Sequence, residues 1–249
     1  MFAEERRKRI VDLIRKEGRV EVKNLAARFE VTEDAIRKDL RLLDKEGLVR
    51  KIYGGAVLPT KLPEFVAYKD RGVVGKLPFA KAAVSLIKPG DTVFIESSTF
   101  TNLMFYEMPK MERVTVVTNS IHGLSELAAK ANVIHVGGMV HEGDESSYGL
   151  FALQVIGQIN FDKCFLRTSG ISPEWQVTAS LQESLALKQA VIKQSSQSVM
   201  LIVHSNWDMR GRYNVCDMRE IDTVITNTQD QSLLKKLTDH GIDYLTVSE

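Results

Sequence analysis

The residues with most chemistry to offer sit close together. Arg37, Lys38 and Arg41 share one segment of helical pattern, and Arg50 and Lys51 follow shortly after it. A guanidinium can take a guanine edge through two parallel hydrogen bonds, and any Lys or Arg can neutralise a phosphate, so these residue types suit a nucleic-acid groove. Each of them alone would read as an ordinary solvated helix face.

The surrounding elements give them a common purpose. Ile10, Leu13 and Ile14 recur at helical spacing, predicting a helix from about Ala3 to Lys16 that stops at Gly18. Val22, Leu25, Ala26 and Phe29 form the apolar face of a second, short helix, and Glu30-Val31 turns the chain into a third. Thr32 is its expected N-cap, with Glu33 and Asp34 in the first turn, where acids suit the helix dipole. Ile36, Leu40 and Leu43 must face the other two helices, which leaves Arg37, Lys38 and Arg41 pointing outward. Gly47 ends the helix, Leu48 to Ile52 alternates apolar and basic, and Tyr53-Gly54-Gly55 turns the chain as in a two-stranded wing. This is the order of a winged helix-turn-helix, whose third helix enters the major groove of double-stranded DNA. Arg37 and Lys38 are the expected groove contacts, with Arg41 on the same face. Thr32 and Lys51 are expected backbone anchors, and Arg50 and Tyr53 belong to the wing. A winged helix used as a protein-interaction module is the alternative; it would lack the salt-dependent DNA affinity that phosphate contacts require.

Length and composition bound the rest. At 249 residues the chain has room for a second, larger domain. The overall charge of +1 hides an asymmetry: residues 1–57 carry 15 Lys+Arg against 11 Asp+Glu, and the remainder 18 against 21. A basic head on a mildly acidic body fits a nucleic-acid end and a separate sensing or catalytic end. Cys164 and Cys216 lie far apart in no ligand-like spacing, and charged Glu4 to Arg9 is followed by no apolar run of a signal peptide. The expectation is a cytoplasmic protein with reduced thiols. No stretch approaches the roughly 20 apolar residues of a membrane span, so no membrane partner is expected.

The head resembles the signature of the DeoR family of bacterial transcriptional regulators. That pattern runs Val-Ser, two variable positions, Thr-Ile-Arg-Arg-Asp-Leu, and closes with a His-Gly-Gly-Ala wing. Here it reads Val31-Thr32, Glu33-Asp34, Ala35-Ile36-Arg37-Lys38-Asp39-Leu40, and Tyr53-Gly54-Gly55-Ala56. Ala35 stands where the family has a hydroxyl residue able to touch DNA, and Lys38 replaces an arginine, keeping charge but losing a fork of donors. The resemblance therefore implies DNA binding with altered base preference.

Residues 58–74 hold two prolines and one glycine without clean periodicity and read as a connector. From Lys76 a helix to Ile87 ends at Pro89-Gly90, and then strands and helices alternate. Strands are expected over 92–95, 114–117, 133–136, 163–166, 199–203 and 223–226, and helices over 101–107, 121–130, 150–159, 181–194 and 231–240. Such alternation predicts a mostly parallel sheet covered by helices on both faces, with ligands outside the carboxyl ends of the strands. Candidate ligand loops are therefore Glu96-Ser97-Ser98-Thr99-Phe100, Gly137-Gly138 and Ser169-Gly170, each of which would also serve as a plain turn. His135, His141, Glu142, Asp144 and Glu145 lack fixed metal-ligand spacing, so no metal is expected.

Residues 75–249 resemble the effector domain of the same family, whose α/β fold is shared with ribose-phosphate isomerases. Matches include Lys81-Ala82-Ala83, Pro89-Gly90-Asp91-Thr92, Thr118-Asn119-Ser120, Gly137-Gly138, Gly149, Phe161-Asp162-Lys163 and Lys188. The resemblance implies a sensor of phosphorylated sugars or their metabolites. Two departures fall where the effector should bind: Glu96-Ser97-Ser98-Thr99-Phe100 replaces Asp-x-Gly-Thr-Thr, and His204-Ser205-Asn206-Trp207 replaces Asp-x-Ser-Lys. Losing that lysine removes a charge-assisted contact to an anion. Either Arg167, where the family has a small residue, supplies the charge, or the pocket has moved to another metabolite with Trp207 stacking on it.

The sequence thus predicts a winged helix-turn-helix over 1–57, a linker over 58–74 and an α/β sensor over 75–249. The expected function is that of a repressor of a carbohydrate-utilisation operon, binding operator DNA as a homo-oligomer, dimer or tetramer, without a cofactor. The expected effector residues are Glu96, Ser97, Ser98, Thr99, Gly137, Gly138, Arg167, Gly170, Lys188 and Trp207, and the effector a sugar phosphate or related metabolite. The alternative is a sugar-phosphate isomerase carrying a winged helix, with Glu96 as its base.

Overall fold

In a computed structural model, which describes residues 3–45, 49–52, 54–57, 75–141 and 145–248, the apolar positions of the first segment converge on one core. Helices α1 (Ala3–Glu17), α2 (Val22–Phe29) and α3 (Glu33–Lys45) bury Ile10, Ile14, Leu25, Ile36, Leu40 and Leu43 together. Glu30, with φ 53°, ends α2 in the left-handed conformation and lets the chain turn into α3. The wing strands β2 (Arg50–Ile52) and β3 (Gly55–Val57) are antiparallel, with Lys51 opposite Ala56. A third strand, β1 (Arg19–Glu21), pairs with the other side of β3, so the sheet has three strands where the sequence suggested two. Three residues are too few to show a strand's alternation. Gly47, Tyr53 and the whole expected connector, residues 58–74, lie outside the described residues.

Asp39 holds this unit together. It points inward from α3, 3% exposed, and takes Arg6 Nε of α1 at 2.6 Å, with Arg7 at 3.6 Å. An acid inside a cation-rich run is therefore a fastener between helices.

By contact clustering the chain divides into Met1–Arg71 and Gly72–Glu249. In the second unit α4 (Leu77–Ser85) precedes β4 (Thr92–Ile95), α5 (Leu103–Glu107), β5 (Thr115–Thr118), α6 (Leu124–Ala128) and β6 (Asn132–His135). The hairpin β7 (Met139–His141) and β8 (Ser146–Tyr148) leads into α7 (Leu150–Ile156) and β9 (Lys163–Arg167). Short strands β10 (Gly170–Ile171) and β11 (Gln176–Ala179) come before α8 (Gln182–Gln194), β12 (Ser198–Ile202) and β13 (Tyr213–Asp217). The described chain then runs through β14 (Thr223–Thr226), α9 (Gln231–Asp239) and β15 (Asp243–Thr246).

Seven strands form one parallel sheet in the order β15-β14-β12-β9-β4-β5-β6. Helical crossovers force this arrangement, because parallel neighbours cannot be joined by a tight turn. The central strands are buried nearly throughout, as expected where both sheet faces are covered. Their core includes Phe94, Cys164, Leu166, Met200, Ile202 and Val224. The chain fills the sheet outward from β4 in one direction, then returns to β9 and fills the other. The sheet therefore has its switch point between β4 and β9, the place where sheets of this kind bind their ligands.

The expected helix 121–130 is shorter, Leu124–Ala128, because the Ser120 hydroxyl accepts the His122 N–H (3.1 Å) and donates to the His122 carbonyl (3.2 Å), a local bond pattern that competes with helix. The small sheet β10-β11-β13 and the β7-β8 hairpin are additions to the expected plan. Among the described residues no helix is long and apolar enough to cross a membrane.

Two measurements check these assignments. Asp39→Ala leaves Arg6 largely buried without its carboxylate, and we expect a loss on the order of 3 kcal/mol in the first unit, read by urea unfolding. Burial pushes the thiols of Cys164 and Cys216 up to about 12, so both should resist Ellman's reagent at pH 8 in the native protein and react once it is unfolded.

Candidate functional site

In the first unit the expected DNA-facing residues gather on α3 and the wing. Thr32 caps α3: its hydroxyl accepts the Ala35 N–H at 3.2 Å, and its carbonyl accepts that of Ile36 at 3.2 Å. Ala35 is half-buried one turn into the helix, while Arg37, Lys38 and Arg41 are exposed. Arg37 is engaged along its own helix, with NH2 to Glu33 at 2.6 Å and NH1 to Asp34 at 2.9 Å. Arg41 Nε donates to the Arg37 carbonyl at 3.2 Å. Lys51 is exposed on β2, and its backbone N–H donates to Asp44 Oδ1 of α3 at 3.0 Å, which fastens the wing to the third helix. Arg50 contributes backbone to β2; its side chain, like all of Tyr53, lies outside what is described.

In the second unit the loop after β4 and the end of β9 meet at the switch point. Glu96 is 3% exposed and forms an ion pair with Lys188 of α8, itself 4% exposed. Its other oxygen accepts the backbone N–H of Arg167 at 2.9 Å. Ser184 closes the arrangement, accepting from Lys188 at 2.8 Å and donating to Glu96 at 3.4 Å. Glu96 and Lys188 thus satisfy each other, and a carboxylate so occupied is poorly placed to serve as a base.

The rest of the loop divides its labour. The Ser98 hydroxyl accepts the N–H groups of Phe100 and Thr101, at 3.2 and 3.1 Å, and so shapes the turn. The Ser97 N–H donates to Asn119 Oδ1 at 2.8 Å, tying the loop to the end of β5. Thr99 Oγ1 accepts from Lys76 Nζ at 3.0 Å. The Lys76 ammonium lies 5.2 Å from the Phe100 ring centre, and the Arg167 guanidinium carbon lies 5.7 Å from it. Two buried amide atoms beside Ser97, Asn102 Oδ1 and Asn119 Nδ2, have no partner among the described residues.

The remaining candidates stand apart from this cluster. A Cβ on Gly138 would meet the Tyr148 carbonyl oxygen at 2.3 Å, and one on Gly170 the Met209 carbonyl oxygen at 2.4 Å. Both glycines are therefore required where one strand or loop backbone approaches another. Gly137 turns the chain toward the same hairpin with φ 70°. Trp207 is 7% exposed and packs in the sheet's core 6.4 Å from Trp175, with its indole N–H unpaired among the described residues. Sequence reasoning missed Lys76, Ser184, Asn102 and the bonding of Asn119. For Asn119 a signal existed, since it lies in the Thr118-Asn119-Ser120 match directly after a strand. No group of His, Cys, Asp or Glu among the described residues is placed to hold a metal.

A winged helix with an outward cationic third helix, carried in one chain with a doubly wound parallel sheet, defines a DNA-binding regulator of transcription. The DeoR-like helix-turn-helix domain model matches residues 6–61 and the DeoR C terminal sensor domain model matches 73–228, so the chain belongs to the DeoR family. It is 28% identical over 248 residues to the HTH-type transcriptional regulator GolR of Listeria innocua, spanning 97% of this chain and 98% of that one. To the HTH-type transcriptional repressor GlcR of Bacillus subtilis it is 27% identical over 255 residues, spanning 100% and 98%. Among solved structures, ribose 5-phosphate isomerase A of Methanocaldococcus jannaschii superposes with a TM-score of 0.39 at 14% identity, over 53% of each chain.

The ion pairs of Arg37 give a direct test of the head. Glu33→Gln removes a negative charge that competes with DNA for this guanidinium, so operator affinity should rise about threefold at low salt and less at high salt, measured by fluorescence anisotropy.

Proposed function

We propose that this chain is a DNA-binding repressor of a carbohydrate-utilisation operon, acting in the cytoplasm as a homo-oligomer whose DNA affinity is set by a sugar phosphate or related metabolite. Its parts are a DNA-binding domain over 1–57, a linker over 58–74 and an effector domain over 75–249. One relative is named as a repressor, GlcR, and another, from Escherichia coli O157:H7, as a putative aga operon transcriptional repressor at 28% identity.

The observation that carries the reading is the exposed face of α3, where Arg37, Lys38 and Arg41 stand beside a wing that Asp44 holds against the same helix. One such helix reads few base pairs. A symmetric oligomer on repeated half-sites doubles the contact and the discrimination. Effector control requires that the metabolite bind the two states of the protein unequally, and the loop after β4 and the end of β9 carry polar groups able to hold it.

Fluorescence anisotropy with labelled DNA from the protein's own upstream region, with and without sugar phosphates and free polyols, tests both halves. Affinity should fall steeply with salt, by about 0.9 in log–log slope per neutralised phosphate. Lys38→Ala should lower that slope by about one, and one phosphorylated sugar should release the DNA. Salt-independent binding would remove the DNA-contact reading, and release by a free polyol alone would remove the phosphate from the effector.

A further inference from the structure

We propose that β7, the start of α7 and the groove between α7 and α8 form the surface through which two copies of this chain pair about a two-fold axis. The inference rests on the homo-oligomer reading above and adds to it the face that the copies share.

The four most exposed large apolar residues described are Met139 (82%), Phe151 (71%), Leu150 (69%) and Val140 (57%). The hairpin register gathers them: Met139 stands opposite Tyr148, Val140 opposite Ser147, and Leu150 follows Tyr148 after a single glycine. Together they present about 500 Å² of largely apolar surface, at the upper end of what a monomeric protein leaves to water in one patch. A stable pairing covers about 800 Å² on each partner, so the patch supplies the core of such an interface and leaves room for a polar rim.

Charge points to a second copy as the occupant. Residues Ser146 to Asn160 include no Asp, Glu, Lys or Arg, in a chain of which 26% of residues are charged. The outward positions of α7, Leu150, Phe151 and Gln154, are therefore neutral. Depletion of charge marks the centre of protein interfaces rather than an ordinary solvated helix face. A patch of either sign would repel its own copy, whereas a neutral one meets itself without that cost. An isologous interface imposes this condition, because the two-fold axis brings the same patch against itself.

The surface also carries a knob beside a hole. Leu150, Ala152, Leu153, Ala186 and Leu187 are the apolar lining of a groove of about 360 Å³ between α7 and α8, and Glu183 alone of its lining residues is charged. Two-fold pairing lets the Phe151 ring of each copy fill the groove of the other, so that one good contact is made twice. The backbone of β7 adds an independent argument. Among the described residues β8 is its only strand neighbour, and an open edge strand bearing apolar side chains is a template for another chain. A small ligand in the groove would leave Met139 and Val140 in water, whereas a second copy covers edge, knob and groove together.

Sedimentation velocity of the full chain without DNA, from about 0.1 to 100 μM, tests the assignment. The wild type should sediment as a dimer or a multiple of one, and Phe151→Glu and Met139→Glu should each weaken the pairing about a hundredfold. Both side chains are exposed, so the fold should survive, which far-UV circular dichroism checks. Ala186→Trp, which fills the groove without adding charge, should weaken the pairing in the same way. Tyr244→Glu makes the same kind of change on β15, at the edge of the large sheet, and should have no effect. Wild-type assembly in a folded Phe151→Glu/Met139→Glu double variant, with or without dissociation by Tyr244→Glu, overturns this interface while leaving a homo-oligomer intact. A wild type that stays monomeric throughout the range overturns the interface and the homo-oligomer together, and operator binding by that monomer would leave the DNA-binding reading standing.

Discussion

Glu96 joins three elements that the sequence keeps far apart. It directly follows β4, pairs with Lys188 of α8 and accepts the amide of Arg167 at the end of β9. Taking an ammonium and a carboxylate out of water costs several kcal/mol for each ion, and their attraction offsets this only when geometry is good and the remaining hydrogen-bonding sites are filled. Ser184 and the Arg167 amide fill them. The pair therefore tolerates little drift between β4, β9 and α8. The loop that follows, from Ser97 to Phe100, starts from a fixed point.

The opposite ends of the same two strands are fixed by a separate set. Lys163 pairs with Asp91 at 2.8 Å, Asp91 also accepts the Lys88 N–H at 2.8 Å, and Asp162 accepts the Thr92 N–H at 2.7 Å. Residues that carry the family resemblance thus divide by position along the sheet. Pro89-Gly90-Asp91-Thr92 and Phe161-Asp162-Lys163 frame the amino ends, where they bind strand to strand. Thr118-Asn119-Ser120 and the loop after β4 occupy the carboxyl ends, where a doubly wound sheet binds its ligands.

Much of this was legible in the sequence, for physical reasons that also mark where legibility stopped. Helix faces such as Ile36, Leu40 and Leu43 announce themselves by period, and buried parallel strands by short apolar runs between turns. The Thr32 cap could be read because capping is a local bond. Asp39 could not, because its partner Arg6 lies far back in the chain and only folding brings them together. The same holds for Glu96 with Lys188: each was picked out as a ligand contact, and their mutual pairing became visible only with the fold. Gly138 and Gly170 look like flexible loop residues in one dimension, yet each is set by a backbone that crosses close by. Strands β1, β7, β8 and β10 are too short, and β8 too rich in serine, to carry a period.

The intrahelical pairs of Arg37 bear on how such a protein finds its site. A genome presents a vast excess of wrong sequences, all bearing the same phosphates. Because Glu33 and Asp34 surround Arg37 at the start of α3, that end of the helix offers little net pull on a generic phosphate backbone. If Arg37 is the residue that meets a base, as proposed, it must first release its own carboxylates, and a guanine edge in register would reward that exchange better than a passing phosphate. On that reading the acidic turn would work as a filter on dwell time, shortening stays on random DNA and leaving the protein free to sample the next stretch.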